Sequence, residues 1–379
     1  MEFDDSPAMG GRVLIVLSHL RWDWVWQRPQ HVVSRMAERY AATWFVEEPV
    51  RAPVASPRLR HEQCGPIHRA WLEIPEDSVG CEFAGPECAG YARLLRAALG
   101  DAADDCDVWL YGPSALAIGE ALRPRLLVYD MMDDLAAFAD GGEGVRELQW
   151  RALRQADLVL AGGRSLYRSA LSVRGDAPTV LFPSGVDIDH YAISRTLRRP
   201  NERPVAGYVG VIDERMDLTL LGDLALKLDD WDIHLVGPTA KIDPRSLPTA
   251  PNLYYPGMRT YEQLPATMAA FDVALMPFAL NEATRSISPT KTLEYLAAGL
   301  PVVSTMVPDV VADWAEVVHF ASDAAEFAEA CRTVRTDPVE LRDMRAAPRR
   351  RRHDWDTIVS GMADQMDLVM AGRFRAVAA

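Results

Sequence analysis

The sequence predicts an α/β protein built from two Rossmann-like domains, each around a parallel sheet. Three observations carry that expectation. Short apolar runs alternate with longer amphipathic stretches along nearly the whole chain. Inside those runs there is little period-two alternation, as in strands covered by helices on both faces. The same rhythm then restarts after a polar, Pro-containing stretch, Ser194–Pro204. A chain of 379 residues is also too long for one ordinary core and suits two.

In the first half the runs Val13–Leu17, Thr43–Glu47, Val108–Tyr111, Leu126–Tyr129, Leu158–Ala161 and Thr179–Phe182 read as buried strands. Helical patterns over Gln30–Arg39, Ala89–Leu99 and Val145–Gln155 lie between several of them, which is the βαβ signature. In the second half the strands are Val205–Val209, Ile233–Val236, Asn252–Tyr255, Val273–Met276, Pro301–Ser304 and Val317–Phe320. Helices are expected over Leu218–Leu228, Tyr261–Ala270, Pro289–Ala298, Ala324–Arg335 and Asp354–Ala371. The domain reading is therefore 1–193, a linker at 194–204, 205–353, and a C-terminal helix at 354–379 that can cross back to the first domain. Two such units predict a cleft, with ligands at the carboxyl ends of the strands.

Composition removes several function classes. The net charge of −14 excludes the phosphate attraction behind general nucleic-acid binding. Five cysteines, an odd number in a long chain, argue against a disulfide framework and for a reducing compartment. The acidic start has no apolar signal core, and no run reaches the length of a membrane span, so a cytoplasmic location is expected. His61, Cys64, His68, Cys81 and Cys88 lie near one another, but no paired CxxC spacing supports zinc, and the segment reads as loop-rich.

The segment Ser288–Gly299 concentrates the chemistry. Ser288 is a natural N-cap, Pro289 a natural first helical residue, and Gly299 a stop. A helix start offers free N–H groups and a positive dipole end to a phosphate. Lys291 adds a charge in the first turn, and Glu294 follows on the same face. From the cap to Glu294 is roughly 9 Å along the axis, about the span from a nucleotide's pyrophosphate to its ribose, whose diol a carboxylate can accept. The competing reading is an ordinary surface pair on an ordinary helix.

The string SPTKTLEYLAAGLPVVST resembles the donor site of the GT-B retaining glycosyltransferases called family 4. So do FPSGVDIDHY at 182–191, VAGYVGVIDERMDLTLL at 205–221, HLVGP at 234–238, the stretch 253–278, and the HDW at 353–355. The openings RWDWVWQRPQHVVSRMA (21–37) and LVYDMMDDL (127–135) resemble a subgroup linked to cell-envelope polysaccharide synthesis, including teichuronic-acid-type transferases. The resemblance implies a GT-B fold and a UDP-, GDP- or dTDP-sugar donor. It implies that Glu294 holds the donor ribose, that Ser288, Pro289, Thr290, Lys291 and Thr292 face the phosphates, and that Gly210 lets its loop approach the donor. Three departures stand out. Ser286 occupies the place of the family's sugar-reading glutamate, for which Glu282 or backbone groups are the candidate substitutes. Val211 replaces the arginine of the usual Gly-Arg. Arg215 matches the usual lysine only approximately, and Arg285 is another cation near the helix.

On the acceptor side, the loop after the first strand carries His19, Arg21, Trp22, Trp24, Trp26, Gln27, Arg28 and His31. Aromatic faces flanked by Arg and Gln suit sugars; equally, they can pack under the loop. The family's equivalent loop lies over sugar and acceptor, which assigns His19, Arg21, Trp22, Arg28 and Ser286 to that side. Asp130, Asp133 and Asp134 follow a strand's carboxyl end; Asp133, Asp130 and His31 are the candidates for acid/base or sugar-hydroxyl contact, with helix capping as the plainer role of any one acid. The triplets Asp187-Ile188-Asp189 and Asp230-Trp231-Asp232 are ascribed to chance in an acidic chain, and no metal or other cofactor is expected. The basic run Arg349–Arg352 reads as a solvated helix end or a contact with the inner membrane face, where lipid-linked acceptors sit. The expected function is sugar transfer from a nucleotide-diphosphate sugar to a hydroxyl of a glycan, lipid-linked or small-molecule acceptor, with retention implied by the family. A GT-B-type nucleotide-sugar epimerase and a non-catalytic nucleotide-sugar-binding subunit are the alternatives.

Overall fold

A computed structural model describes residues 11–137, 142–285, 287 and 290–374. They fall into two compact units: the residues through Phe182 together with those from Val359 onward, and Pro183–Ile358.

The first unit runs β1 (Val13–Ser18), α1 (Arg28–Met36), β2 (Ala42–Glu47), β3 (Val50–Arg51), β4 (Arg58–Cys64), β5 (Ile67–Ile74), α2 (Tyr91–Leu99), β6 (Cys106–Leu110), α3 (Leu116–Ala121), β7 (Leu126–Met131), α4 (Gly142–Gln155), β8 (Leu158–Ala161), α5 (Arg164–Arg174) and β9 (Thr179–Leu181). Its sheet has the order β3-β5-β2-β1-β6-β7-β8-β9, with β4 paired antiparallel to β5 and the other pairs parallel. The strands β1, β6, β7 and β8 are buried at every position, which is why they show no alternation in sequence.

The β4–β5 hairpin corrects the loop-rich reading of the His61–Cys88 segment in its first part. β4 has no fully buried position, so it offers no apolar run to recognise, while β5 buries Ile67, Ala70, Leu72 and Ile74 on the sheet. Gly65, at φ +57°, makes the turn. His61 and His68 flank the Trp44 ring, 5.2 and 5.1 Å from it, and so serve packing.

The second unit runs α6 (Ile188–Leu197), β10 (Val205–Val209), α7 (Leu218–Lys227), β11 (Asp232–Val236), β12 (Leu253–Tyr254), α8 (Leu264–Ala269), β13 (Val273–Met276), α9 (Lys291–Ala297), β14 (Val302–Ser304), α10 (Pro308–Trp314), β15 (Val318–Phe320), α11 (Ala324–Arg335) and α12 (Val339–Arg352). All pairs in its sheet are parallel, in the order β12-β11-β10-β13-β14-β15. Strand order therefore reverses direction between β10 and β13, the place where open sheets of this kind receive ligands at their carboxyl ends. The core is tight there: a Cβ on Gly207 in β10 would lie 2.3 Å from the Phe271 ring.

Two boundaries differ from the sequence reading. Residues Ser194–Leu197 are the last turn of α6 rather than linker, because Asp187 caps that helix and Tyr191 and Ser194 face its buried side. The division between units accordingly falls earlier, at Pro183. A final helix, α13 (Trp355–Met370), begins in the second unit and continues into the first. Among the described residues, no helix is long and apolar enough to cross a membrane.

Candidate functional site

The strand-order reversal of the second unit is built from glycine backbone. Gly210 follows β10 and Gly237 follows β11, both at φ +150°, a value that side chains other than hydrogen rarely allow. The Gly210 N–H donates to the Val236 carbonyl at 2.8 Å. A Cβ on Gly237 would sit 1.9 Å from the Gly210 carbonyl oxygen, and one on Gly210 would sit 2.1 Å from Lys291 Cε. The missing side chain at Gly210 thus makes room for Lys291, a more specific reason than general closeness to a ligand.

Lys291 opens α9 and carries its ammonium 5.6 Å from the centroid of the Tyr208 ring. Glu294 lies on the same face, partly buried. Burial pushes its carboxyl above the ordinary range, while the Lys291 charge and the polar Tyr191 side chain hold it down. The helix is pinned to the sheet by Tyr295, whose hydroxyl accepts the Val209 N–H at 2.8 Å. Tyr208 donates to the Val211 carbonyl at 2.9 Å and closes the loop after β10. One cation, one carboxylate and a glycine turn are therefore brought together at the carboxyl end of β10.

Other donor-side candidates fare differently. The described helix starts at Lys291, with Thr290 at the cap position, helical in backbone and without a side-chain cap bond. Ser286, Ser288 and Pro289 lie outside the described residues. Thr292 is fully buried and donates to Met276 Sδ at 3.4 Å, so it faces the sheet instead of a phosphate. Arg215 is forked onto Asp213 at 2.6–3.1 Å. Arg285, the stand-in cation, and Glu282, the substitute for a sugar-reading glutamate, are both exposed and pair with each other at 2.5 Å. Neither triplet of alternating acids forms a cluster: Asp187 caps α6, Asp230 pairs with Arg332 and Asp232 with Arg203.

In the first unit, several acceptor-side candidates turn out to hold one another. Arg28 reaches Asp130 through three bonds of 2.9–3.1 Å and gives a fourth, at 2.9 Å, to the Phe182 carbonyl. Arg28 is 2% exposed and Asp130 fully buried. Burial pushes the Asp130 carboxyl up, and Arg28, Tyr111 and Trp109 pull it down. Asp130 is thus corrected from an acid/base candidate to half of a buried ion pair, and Arg28 from a sugar contact to its partner. Arg21 is likewise spent on Glu47 at 3.1 Å and on the Glu48 and Pro49 carbonyls. Trp22 packs its ring against Phe45 at 5.0 Å and Trp26 at 5.8 Å, and His31 is buried with its ring edge-on to Trp26. The aromatics therefore close the loop's underside; among the three tryptophans only Trp24 is exposed. Asp133 is partly buried beyond β7, beside Asp134, which accepts from Gln149 at 3.1 Å. His19 is partly buried at the end of β1, against Gly112 after β6, where this sheet's own order reverses.

Glu47 and Glu48 were not singled out from sequence. Glu47 is buried and receives Arg21, Arg69 and the Trp22 N–H. Burial pushes the neighbouring Glu48 up to about 7, only partly offset by the Phe83 N–H and Arg21. Because the folded value exceeds the unfolded one, the folded state holds this proton more tightly, and stability falls as pH rises from the unfolded to the folded pKa. Glu48→Gln is expected to be more stable than the parent above pH 7, by on the order of 1–3 kcal/mol, and equal to it near pH 4. Melting curves across pH 4–8 check this; a constant gap between the two proteins would refute it.

Comparison with known proteins bears on the same segments. Residues 203–337 match the family model described as glycosyl transferases group 1. Over 222 residues the chain is 23% identical to TuaH of Bacillus subtilis (strain 168), a protein named for glycosyl transfer in teichuronic acid biosynthesis; the match covers 54% of this chain and 56% of TuaH. Among solved structures, sucrose-phosphate synthase of Thermosynechococcus elongatus is similar with a TM-score of 0.74 at 14% identity, covering 95% of this chain and all of that one. Anabaena Alr3699/HepE in complex with UDP and glucose gives 0.67 at 15% identity over 94% and 99% of the two chains. The structure of trehalose-6-phosphate from E. coli bound with UDP-2-fluoro glucose gives 0.67 at 14% over 93% and 98%. These likenesses identify the fold as GT-B.

Proposed function

We propose that this chain, whose residues 203–337 match the model of the glycosyl transferases group 1 family, transfers a sugar from a nucleotide-diphosphate donor to an acceptor hydroxyl in cell-envelope or exopolysaccharide synthesis. The observation that carries the reading is the Lys291–Glu294 face of α9 beside the Gly210 turn, inside the matched segment and at the carboxyl end of β10. Lys291 meets the diphosphate and Glu294 the ribose diol. In the reaction the anomeric carbon exchanges its bond to the diphosphate oxygen for one to the acceptor oxygen, and the acceptor's proton ends on the released diphosphate or solvent. A fixed ammonium favours that departure by stabilising the charge that develops on the leaving group. The scheme needs the nucleotide sugar as co-substrate and no further cofactor; retention is the family's expectation.

UDP-sugars are favoured over GDP- and dTDP-sugars because two similar structures were solved with UDP or a UDP-sugar analogue. The name of TuaH supports an envelope glycan or a lipid-linked acceptor. Arg351 and Arg352, exposed at the end of α12, would suit an anionic membrane surface beside such an acceptor. The test is a screen of UDP-, GDP- and dTDP-sugars by thermal shift, followed by product analysis with and without acceptors. Specific binding at 100 times Kd adds about 2.7 kcal/mol and raises Tm by several degrees. A new nucleotide sugar formed without acceptor would replace transfer by epimerisation, and binding without turnover against any acceptor would reduce the chain to a binding subunit.

A further inference from the structure

We propose, resting on the donor-site reading above, that Tyr295 is a positioning residue for the donor's diphosphate: its hydroxyl stands in for a strand partner on Val209 and so holds Lys291 over the Gly210 turn. Tyr295 touches no part of the donor in that reading and acts through Lys291.

The need for such a group arises where β10 ends. Its pairing with β13 reaches only Ala206 and Gly207 among the described residues, whereas its pairing with β11 runs on to Val209. Backbone groups along a strand point alternately to the two neighbours. The Val205 carbonyl accepts the N–H of Asp272, just before β13, and the Gly210 N–H donates to Val236 on β11. Val209 therefore faces the side where pairing has already stopped. It is 6% exposed, so water offers its backbone little, and a buried N–H without a partner is costly. Tyr295 answers both groups: its hydroxyl accepts the Val209 N–H at 2.8 Å and donates to the Val209 carbonyl at 3.4 Å. One buried phenol thus does what a neighbouring strand would do.

Tyr295 belongs to α9, and Lys291 lies four residues before it on the same face. The helix spans only Lys291–Ala297, too short to hold its shape without outside contacts. Its far end is tied to α6, where Arg195 donates to the Ala297 carbonyl at 3.0 Å. Tyr295 ties the face that carries Lys291 to the last residue of β10. The next residue is Gly210, and Lys291 Cε fills the space of its missing side chain, 2.1 Å from where a Cβ would lie. Beyond the turn, Tyr208 donates to the Val211 carbonyl at 2.9 Å and lies with its ring centroid 5.6 Å from the ammonium. Two hydroxyls therefore bracket Gly210, one on each neighbour. A lysine side chain has four rotatable bonds, and its ammonium is aimed only while helix and turn stay in register. A hydroxyl kept for folding alone would steady the helix as a whole; this one stands in line with Lys291, so its loss is felt first at the diphosphate.

The test titrates the full-length parent, Tyr295→Phe, Lys291→Ala and the double variant by calorimetry, below their melting ranges. The ligands are the preferred diphosphate among UDP, GDP and dTDP, and its bare nucleoside. Tyr295→Phe should bind the diphosphate about fivefold more weakly, the worth of one neutral hydrogen bond, and the nucleoside as the parent does. In the Lys291→Ala background it should add almost nothing. Equal weakening of diphosphate and nucleoside in Tyr295→Phe, or parent-like affinity for both, would overturn the inference; diphosphate affinity lost in Lys291→Ala would then leave the donor-site reading standing. Parent-like diphosphate affinity in Lys291→Ala would overturn both. If Tyr295→Phe does not fold, hydrogen exchange in the parent decides. Coupling is reciprocal, so the diphosphate should slow exchange of the Val209 amide more than the nucleoside does at the same multiple of Kd, where both stabilise the fold equally. Equal slowing by the two ligands would overturn the inference.

Discussion

Glu294→Ala is expected to weaken nucleotide-diphosphate binding by at least about 100-fold, and Lys291→Ala by a comparable factor, with little change in the melting temperature of either protein. The first figure follows from two hydrogen bonds to a charged acceptor, each about 1.5–3 kcal/mol, on the two ribose hydroxyls. The stability half of the prediction is the more discriminating. Burial already pushes the Glu294 carboxyl up, so its removal relieves a desolvation cost while giving up the attraction of the Lys291 charge; the two effects oppose each other. An interaction kept for packing would behave the other way, with a lowered Tm and unaltered affinity. The parent's pH dependence follows from the same shift. Binding needs the carboxylate, and its raised pKa means affinity is lost, as pH falls, earlier than an ordinary glutamate would allow. Isothermal titration at pH 5.5 and 8 on parent and variants reads all of this, and unchanged affinity in both alanine variants would sink the site assignment.

How much of that site was legible in the sequence depends on which contacts are local. Lys291 and Glu294 share a helix face through spacing alone, and β10 and β13 announce themselves as short apolar runs. Their meeting at a strand-order reversal is a matter of pairing between distant segments, which no run by itself reveals. Tyr191 closes the string FPSGVDIDHY on α6, yet the packing of α6 on α9 joins segments far apart in the chain, and no string reveals it. The misreadings share a cause. Arg28, Asp130, Arg21 and Trp22 have the chemistry of a sugar site, but composition does not say whether a polar side chain points into a cavity or toward another side chain of opposite charge. The polar strand β4 escaped notice because its pattern has nothing apolar to count, and the turn of α6 at Ser194–Leu197 because the arginines that follow resemble a linker.

The Arg28–Asp130 pair gives the second large effect, and it separates structure from catalysis in the first unit. Asp130→Ala would leave a guanidinium buried beside Tyr111 and Trp109 with only the Phe182 carbonyl for company. Breaking a buried pair from one side costs roughly 3–5 kcal/mol, a large share of the stability of an ordinary domain. For a unit of this size that lowers Tm by about 10 °C. Arg28→Lys should also be costly, because a single ammonium cannot make the paired contacts to both carboxylate oxygens and the carbonyl at once. The decisive variant replaces both partners, Arg28→Met with Asp130→Leu. With no charge left unpaired, much of the lost stability should return, since a buried pair contributes little beyond its own desolvation. A catalytic Asp130 predicts the opposite set of results: Asp130→Asn would melt like the parent yet turn over no donor, and restoring stability in the double variant would restore no activity. The pair fastens α1 to the end of β7 and to Phe182, the last residue before the second unit begins. If the melting experiments come out as expected, the sugar-side chemistry must be sought among the partly buried residues at the ends of β1 and β7, His19 and Asp133.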